Sequence, residues 1–115
     1  MAAHTNLDNT LTALADPTRR AILQRVSLGE ARVTDLAEPF AMSLNAVSKH
    51  IRILERSGLV RRRREGREHL LSLNTLPFDE AMAWMETQRA SWKRSLEALD
   101  ALLEAEDAAS NTGEG

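Results

Sequence analysis

The chain has 115 residues and a formal net charge of −2, which is enough for one domain with a modest core. Hydrophobic residues make up 43% and charged residues 28%, as in a globular protein, and no apolar run approaches the roughly 20 residues that a membrane span needs. The absence of cysteine excludes disulfides, thiol redox sensing and thiolate metal sites. Its start lacks the charged and apolar regions of a signal peptide, so we expect a cytoplasmic protein.

The first two predicted helices are short. The first covers residues 7–15 and carries apolar residues at helical spacing, namely Leu7, Leu11 and Leu14. Asp16 is then a good N-cap, and Pro17 suits the first helical position because its missing N–H would have no partner there. The second helix ends near Gly29, and its buried face is predicted to be Ile22, Leu23 and Val26.

A short third helix and a turn precede the best-defined helix of the sequence. Thr34 is the predicted cap of the third helix, residues 30–32 are a link before it, and Pro39 ends it. Ser43 is the predicted N-cap of the fourth helix, which stops at Gly58. The buried stripe of this fourth helix follows the spacing i, i+4 and i+7, on Val47, Ile51 and Leu54.

The other face of the fourth helix is small, polar and cationic, and two extended runs around Glu65-Gly66 predict a hairpin after it. Residues 45–67 contain eight cations and two anions, although the whole chain is acidic. Such segregation of charge indicates a phosphate-binding face. The elements predict a mainly α-helical fold with a small β-hairpin between the fourth and fifth helices, which is a winged helix-turn-helix.

The last predicted helix runs from Phe78 to about Ala105, roughly 42 Å. Its apolar residues recur about every 3.5 residues, the spacing of a helix that pairs with another helix. They are Phe78, Met82, Met85, Trp92, Leu96, Leu99 and Leu103. Pairing with a second subunit would bury them, and the alternative is a core helix that covers its own domain. We predict a single domain over residues 1–105, a dimerisation helix over 78–105 and a disordered tail over 106–115.

The chain resembles the arsenic-repressor (ArsR) type of bacterial winged helix-turn-helix regulators over about residues 7–103. The residues that carry the resemblance are the runs Leu14–Leu23, Met42–Ile51, Gly58-Leu59-Val60 and Arg64-Glu65-Gly66-Arg67, together with Leu54. The 39–43 turn and the Trp84…Trp92 pair resemble a metal-independent branch. The resemblance implies a homodimer built on the first and last helices, with Leu7 and Leu11 in its interface, that binds an inverted-repeat operator and represses transcription.

The sequence departs from the metal-binding members of that family. The third-helix segment has no thiol, the last helix has no histidine, and three different elements carry the three histidines, His4, His50 and His69. A soft-metal site needs converging N or S ligands, so we predict no metal and no cofactor.

The leading functional prediction is a sequence-specific regulator of double-stranded DNA, and specifically a dimeric repressor. The predicted base contacts are Asn45, Ser48 and Lys49, with Ala46 against a thymine methyl. The predicted contacts to the DNA backbone or minor groove are Ser43, His50, Arg52, Arg56, Arg62, Arg64 and Arg67, with Arg67 at the hairpin tip the candidate for the minor groove.

Two other functions agree less well with the sequence. A winged-helix adaptor for proteins would keep the fold but give no reason for the local positive charge. An enzyme is not predicted, because the chain lacks cysteine, tyrosine, a phosphate-binding glycine loop and a Gly-x-Ser-x-Gly elbow. The sequence identifies neither an inducer nor the operator, and it leaves open whether Trp84, Met85 and Trp92 line a pocket or only pack.

Overall fold

The computed structural model describes the backbone of residues 2–113 and the side chains of residues 6–110. The described residues form five helices and three strands, which follow one another in this order: α1 (Ala2–Leu14), α2 (Pro17–Val26), β1 (Ala31–Arg32), α3 (Val33–Ala37), α4 (Leu44–Ser57), β2 (Val60–Glu65), β3 (Glu68–Leu73) and α5 (Leu76–Gly113). The strands form one antiparallel sheet in the order β1-β3-β2. This arrangement confirms the predicted winged helix-turn-helix.

By its contacts the chain divides into two units, Met1–Ala81 and Met82–Gly115, and the predicted single domain with a dimerisation helix over residues 78–105 stays a prediction. The first unit contains α1 to α4, the sheet and the start of α5. The second is the remainder of α5. None of the described helices is both long and apolar enough to cross a membrane.

The junction between α1 and α2 follows the predicted capping. The Asp16 carboxylate accepts a 3.0 Å bond from the backbone N–H of Arg19, and Pro17 occupies the first turn of α2. The Arg19 side chain also contacts α1, because its guanidinium donates to the carbonyls of Thr12 and Ala13 at 2.8 and 2.9 Å. The first helix begins at Ala2, earlier than the predicted residue 7.

The segment before the helix-turn-helix differs from the prediction. The predicted link contains a two-residue strand, β1, whose Ala31 and Arg32 pair with Leu71 and Leu70 of β3. Because Arg32 is held in extended backbone, α3 starts immediately after it at Val33, and Arg32 rather than Thr34 is the N-cap residue. The predicted cap was therefore wrong.

The two ends and the buried face of α4 agree with the sequence prediction. The Ser43 hydroxyl accepts a 3.1 Å bond from the N–H of Ala46, and Gly58 ends the helix with a φ of +83°. The predicted apolar stripe is fully buried, with Val47, Ile51 and Leu54 in the core cluster beside residues of α2, α3 and the sheet. This packing fixes which face of α4 turns outward.

The wing, here defined as β2, β3 and the loop between them (residues 60–73), is a regular hairpin. Its six pairs run from Val60↔Leu73 to Glu65↔Glu68. The loop is Gly66-Arg67, one residue later than the predicted Glu65-Gly66, and Gly66 has a φ of +62°. A two-residue loop with glycine first is typical of a type II′ turn, which matches the twist of the flanking strands.

The last helix is longer than predicted at both ends. It starts at Leu76, with Pro77 in its first turn, and it continues to Gly113. Residues 106–113, predicted as a disordered tail, are therefore helical, and residues 114–115 lie outside the described residues. The run Glu104–Ala109 consists of Glu, Ala and one Asp, and alanine and glutamate are strong helix formers, which accounts for the extension.

Candidate nucleic-acid interface

The outward face of α4 is defined by four polar or charged residues at the spacing i, i+4, i+7 and i+11. They are Asn45, Lys49, Arg52 and Arg56, and all four are exposed. None of the three cations forms an ion pair with any side chain of residues 6–110. The face therefore presents one amide and three uncompensated positive charges, which suits approach to base edges and phosphates.

One flank of α4 faces α2 and carries two predicted DNA contacts, Ala46 and His50. The His50 Nδ1 lies 3.2 Å from the Arg19 Nη1 and 3.7 Å from the Asp16 Oδ2. These contacts occupy Nδ1 only, so the predicted phosphate contact by His50 stays a prediction and would use Nε2. Its contact with Arg19 links the recognition helix to the α1–α2 junction.

The opposite flank of α4 faces the wing and carries Leu44, Ser48 and Glu55. An open groove of about 310 Å³ separates this flank from the wing. Ser48 and Arg67, two of the predicted DNA contacts, both line it. Its other lining residues are Arg32, Val33, Thr34, Leu44, Arg62, Glu68 and His69. The structure thus brings helix and wing residues to one continuous surface.

The arginine run of the wing is not uniformly available. Arg62 donates two bonds to the Glu55 carboxylate, at 2.7 and 3.2 Å, and is thereby tied to α4. Arg63 donates two bonds to the Glu30 carboxylate, at 2.6 and 2.7 Å, and is also 3.2 Å from Glu65. Both arginines were among the cations of the predicted phosphate-binding face, and these ion pairs neutralise their charges.

The remaining wing arginines differ from each other. The Arg64 Nε donates a 3.0 Å bond to the carbonyl of Gly66, so this side chain braces the loop. Arg61 and Arg67 are exposed and form no ion pair with the described side chains. Arg67 lies in the loop itself, which agrees with its predicted position at the tip.

Two carboxyl groups near this surface, those of Glu30 and Asp16, have lowered pKa values. The bond from Arg63 holds the pKa of the Glu30 carboxyl below its usual range, and the same contact raises the pKa of Arg63. At the α2 cap, the backbone N–H of Arg19 lowers the pKa of Asp16, and the charges of His50 and Arg19 act in the same direction. All these carboxylates are therefore ionised at neutral pH.

Three further residues border the candidate interface but were not named individually as DNA contacts by the sequence analysis. Leu44 is 51% exposed in the first turn of α4, Thr34 lines the groove from α3, and Arg61 is an exposed cation of the wing. Arg61 could have been found from its place in the arginine run. Leu44 lies outside the buried stripe that the sequence predicted, but an apolar residue at a helix start is not by itself a signal of DNA contact.

Among the residues that the structure describes, no three His, Asp or Glu side chains come together in an arrangement that could hold a metal ion. His50 and His69 lie on α4 and β3, and the side chain of His4 lies outside the described ones.

The second unit exposes the apolar residues that the sequence assigned to dimerisation. Six of these side chains are exposed, with Trp92 at 63%. They are Met82, Met85, Trp92, Leu96, Leu99 and Leu103. In the first unit, Leu7 is half-buried, and Leu11 and Phe78 are exposed. Trp84, Met85 and Trp92 line an open hollow of about 500 Å³ along the helix together with polar residues, so they are not packed in a core.

Comparison with known proteins shows which family the chain belongs to. Residues 14–63 match the model of a helix-turn-helix domain. The transcriptional repressor SdpR of Bacillus subtilis (strain 168) is 34% identical over 79 residues, which cover 69% of this chain and 88% of SdpR. A crystal structure of the ArsR family transcriptional regulator RHA00566 is 43% identical, with a TM-score of 0.74 over 77% of this chain and 92% of that one. The chain belongs to the ArsR family of transcriptional regulators.

A second solved structure of this ArsR-family fold covers more of the chain. Mb0332 from Mycobacterium bovis was solved in solution as a homodimeric winged helix-turn-helix DNA-binding domain. It is 27% identical, with a TM-score of 0.60, over 81% of this chain and 84% of that one. The similarity of the two folds therefore covers about four fifths of each chain.

Proposed function

We propose that this ArsR-family protein is a homodimeric transcriptional repressor that binds an inverted-repeat operator with α4 in the major groove. The outward face of α4 carries the proposal, because Asn45, Lys49, Arg52 and Arg56 are exposed together and none of the three cations is neutralised by a described side chain. Asn45 and Lys49 are the base readers, and Arg52 and Arg56 bind phosphates. Because its target is the operator DNA, we place the protein in the cytoplasm.

The wing supplies a second contact in this proposal. Arg67 at the loop reaches the phosphates or the adjacent minor groove, and Arg61 adds a cation on the neighbouring strand. Arg62 and Arg63 act mainly by holding the wing against α4 and β1. A winged-helix adaptor for proteins receives no support from the relatives, which are transcriptional regulators. The proposed role is one of binding, without catalytic chemistry.

Dimerisation is supported by the exposed apolar seam of α5 and by the homodimeric state of the Mb0332 domain. An isolated helix with two tryptophans and several leucines in water would be an unusually large apolar patch for a monomer. A second copy of the chain buries it most simply. It also gives the two recognition helices that an inverted repeat requires.

The DNA-binding proposal is tested by selecting duplexes from a random library with the full chain and titrating the enriched sequence at several salt concentrations. We expect an inverted repeat that binds at least about 1,000-fold more tightly than random duplex. Equal affinity for both duplexes would refute sequence-specific binding.

The dimer is tested by sedimentation at micromolar concentration, which should give a mass near twice 12.8 kDa. Leu96→Glu places a charge in the seam and should give a monomer. Ala101→Glu introduces the same side chain on the other side of the exposed helix and should leave the dimer intact. A monomeric wild type, or equal effects of the two substitutions, would contradict this interface.

A further inference from the structure

Leu44 is a large apolar side chain that is half-exposed outside the core cluster. It lies in the first turn of α4, one residue after the cap, and 51% of it is exposed. The buried stripe of α4 runs through Val47, Ile51 and Leu54, and Leu44 is not part of the core cluster. Nor does it belong to the apolar seam of α5, so dimerisation does not explain it.

The surroundings of Leu44 are those of a recognition surface. It precedes Ser48 by one helical turn, and both line the groove between α4 and the wing, which Thr34, Arg62 and Arg67 also border. Side chains of a helix lean toward its N-terminus, so Leu44 extends past the start of α4. In helix-turn-helix proteins the N-terminal residues of the recognition helix are those that contact base edges.

The major groove contains one apolar group that an exposed leucine can cover, the C5 methyl of thymine. We propose that Leu44 is a specificity-determining residue that packs against a thymine methyl in each operator half-site. This inference rests on the proposed function, since it requires α4 to lie in the major groove.

Ala46, which the sequence suggested for a methyl contact, is less well placed. It lies on the flank of α4 that carries His50, whose ring contacts Arg19 of α2, and it is only half-exposed. Its single methyl offers little surface. Leu44 offers a whole isobutyl group on the wing side, beside the Ser48 hydroxyl and the Arg67 guanidinium.

The expected effect follows from the area of one methyl group. Burying one such group is worth about 0.8 kcal/mol, which is about a fourfold change in affinity. The same loss in both symmetric half-sites lowers the affinity of the dimer roughly fifteenfold. This penalty should appear when thymine is replaced by uracil, which keeps its base pairing and O4 acceptor and lacks only the methyl.

The experiment uses the full chain and the duplex that it selects from a random library. Each thymine of the half-site is replaced in turn by deoxyuracil, symmetrically in both halves. The wild type should lose about fifteenfold at one position. Leu44→Ala should bind the thymine and uracil duplexes equally at that position, and Leu44→Met, which keeps an apolar side chain, should retain most of the penalty.

Two control variants separate this effect from general loss of binding. Leu28→Ala truncates another exposed leucine, 82% exposed in the turn after α2, and should retain the full uracil penalty. Lys49→Ala should weaken binding to the selected duplex whether it carries thymine or uracil, and should retain the uracil penalty. Circular dichroism should show unchanged helix content for all variants, since none of these side chains is buried.

Several outcomes would overturn the inference while leaving the proposed function intact. These are a selected half-site without thymine, the absence of any uracil penalty in the wild type, and a penalty that persists in Leu44→Ala. A penalty that disappears in Ala46→Ser instead would assign the contact to Ala46. If the wild-type chain enriched no sequence at all, the proposed function would fail together with the inference.

Discussion

Arg67 and Arg63 are both arginines of the wing, but the structure gives them different partners and so predicts different roles in DNA binding. Arg67 is exposed in the loop without an ion pair to any described side chain, whereas Arg63 donates two bonds to Glu30. We therefore expect Arg67→Gln to remove one phosphate contact per subunit. The double variant Glu30→Gln/Arg63→Gln removes a pair that is already neutral and keeps the net charge.

The magnitude follows from counterion release. Each phosphate contact contributes about 0.9 to the slope of log affinity against log salt, so two subunits should lose about 1.8 units in Arg67→Gln. Between 50 and 200 mM salt, the affinity of this variant should consequently fall about twelvefold less than that of the wild type. The double variant should retain the wild-type slope, and its melting temperature should stay close to that of the wild type, because both partners are on the surface and exposed ion pairs contribute little to stability.

The assay is a titration of fluorescent selected and random duplexes at four or more salt concentrations. Arg67→Gln should weaken binding to both duplexes by similar factors, since backbone contacts carry little sequence information. An unchanged slope for Arg67→Gln, or an equal loss of slope in the double variant, would refute this division of the wing arginines.

Four further results are expected. Lys49→Ala should lose about 1–3 kcal/mol on the selected duplex and much less on random duplex, and equal losses on both would remove Lys49 from base readout. Leu54→Ala should lower the free energy of unfolding by about 2–5 kcal/mol in urea, because Leu54 is fully buried, whereas exposed Arg56→Ala should change it by less than about 0.5 kcal/mol. Asp16→Ala should lower the melting temperature at neutral pH. Because the folded pKa of Asp16 lies below its ordinary value near 3.8, its contribution is present above that value, and the difference from wild type should disappear as the pH falls through the folded pKa. Stoichiometric zinc should leave operator affinity unchanged, because the chain has no cysteine and Arg19 already contacts the His50 ring; a loss of binding at one equivalent would reveal a metal site.

The features that could be predicted from the sequence are those encoded over one or two helical turns. Ser43 caps α4, the stripe through Ile51 is buried, and Gly58 ends the helix, as predicted. Each of these depends on residues within four positions of one another. The hairpin was also found, because a glycine between two extended runs is a local signal.

The features that the sequence analysis missed depend mostly on residues far apart in the chain. The two residues of β1 show no periodicity, and their strand character comes from pairing with β3, about forty residues later. The contact between Arg63 and Glu30 spans 33 positions, so the arginine run appeared uniformly available. The end of α5 is different, because its helix formers were visible and were given too little weight against the polar character of the tail.

The short strand β1 has a consequence for the proposed DNA complex. Ala31 and Arg32 hold β3 along its outer edge, and β3 holds β2 over six residue pairs. The wing is thus part of a three-stranded sheet rather than a free hairpin, and this pairing restrains its position relative to α4. In the proposed DNA complex, the restrained spacing between α4 and the wing would favour one groove width. DNA whose groove width already fits it binds without distortion, and stiffer or wider sequences must be deformed at a cost in free energy.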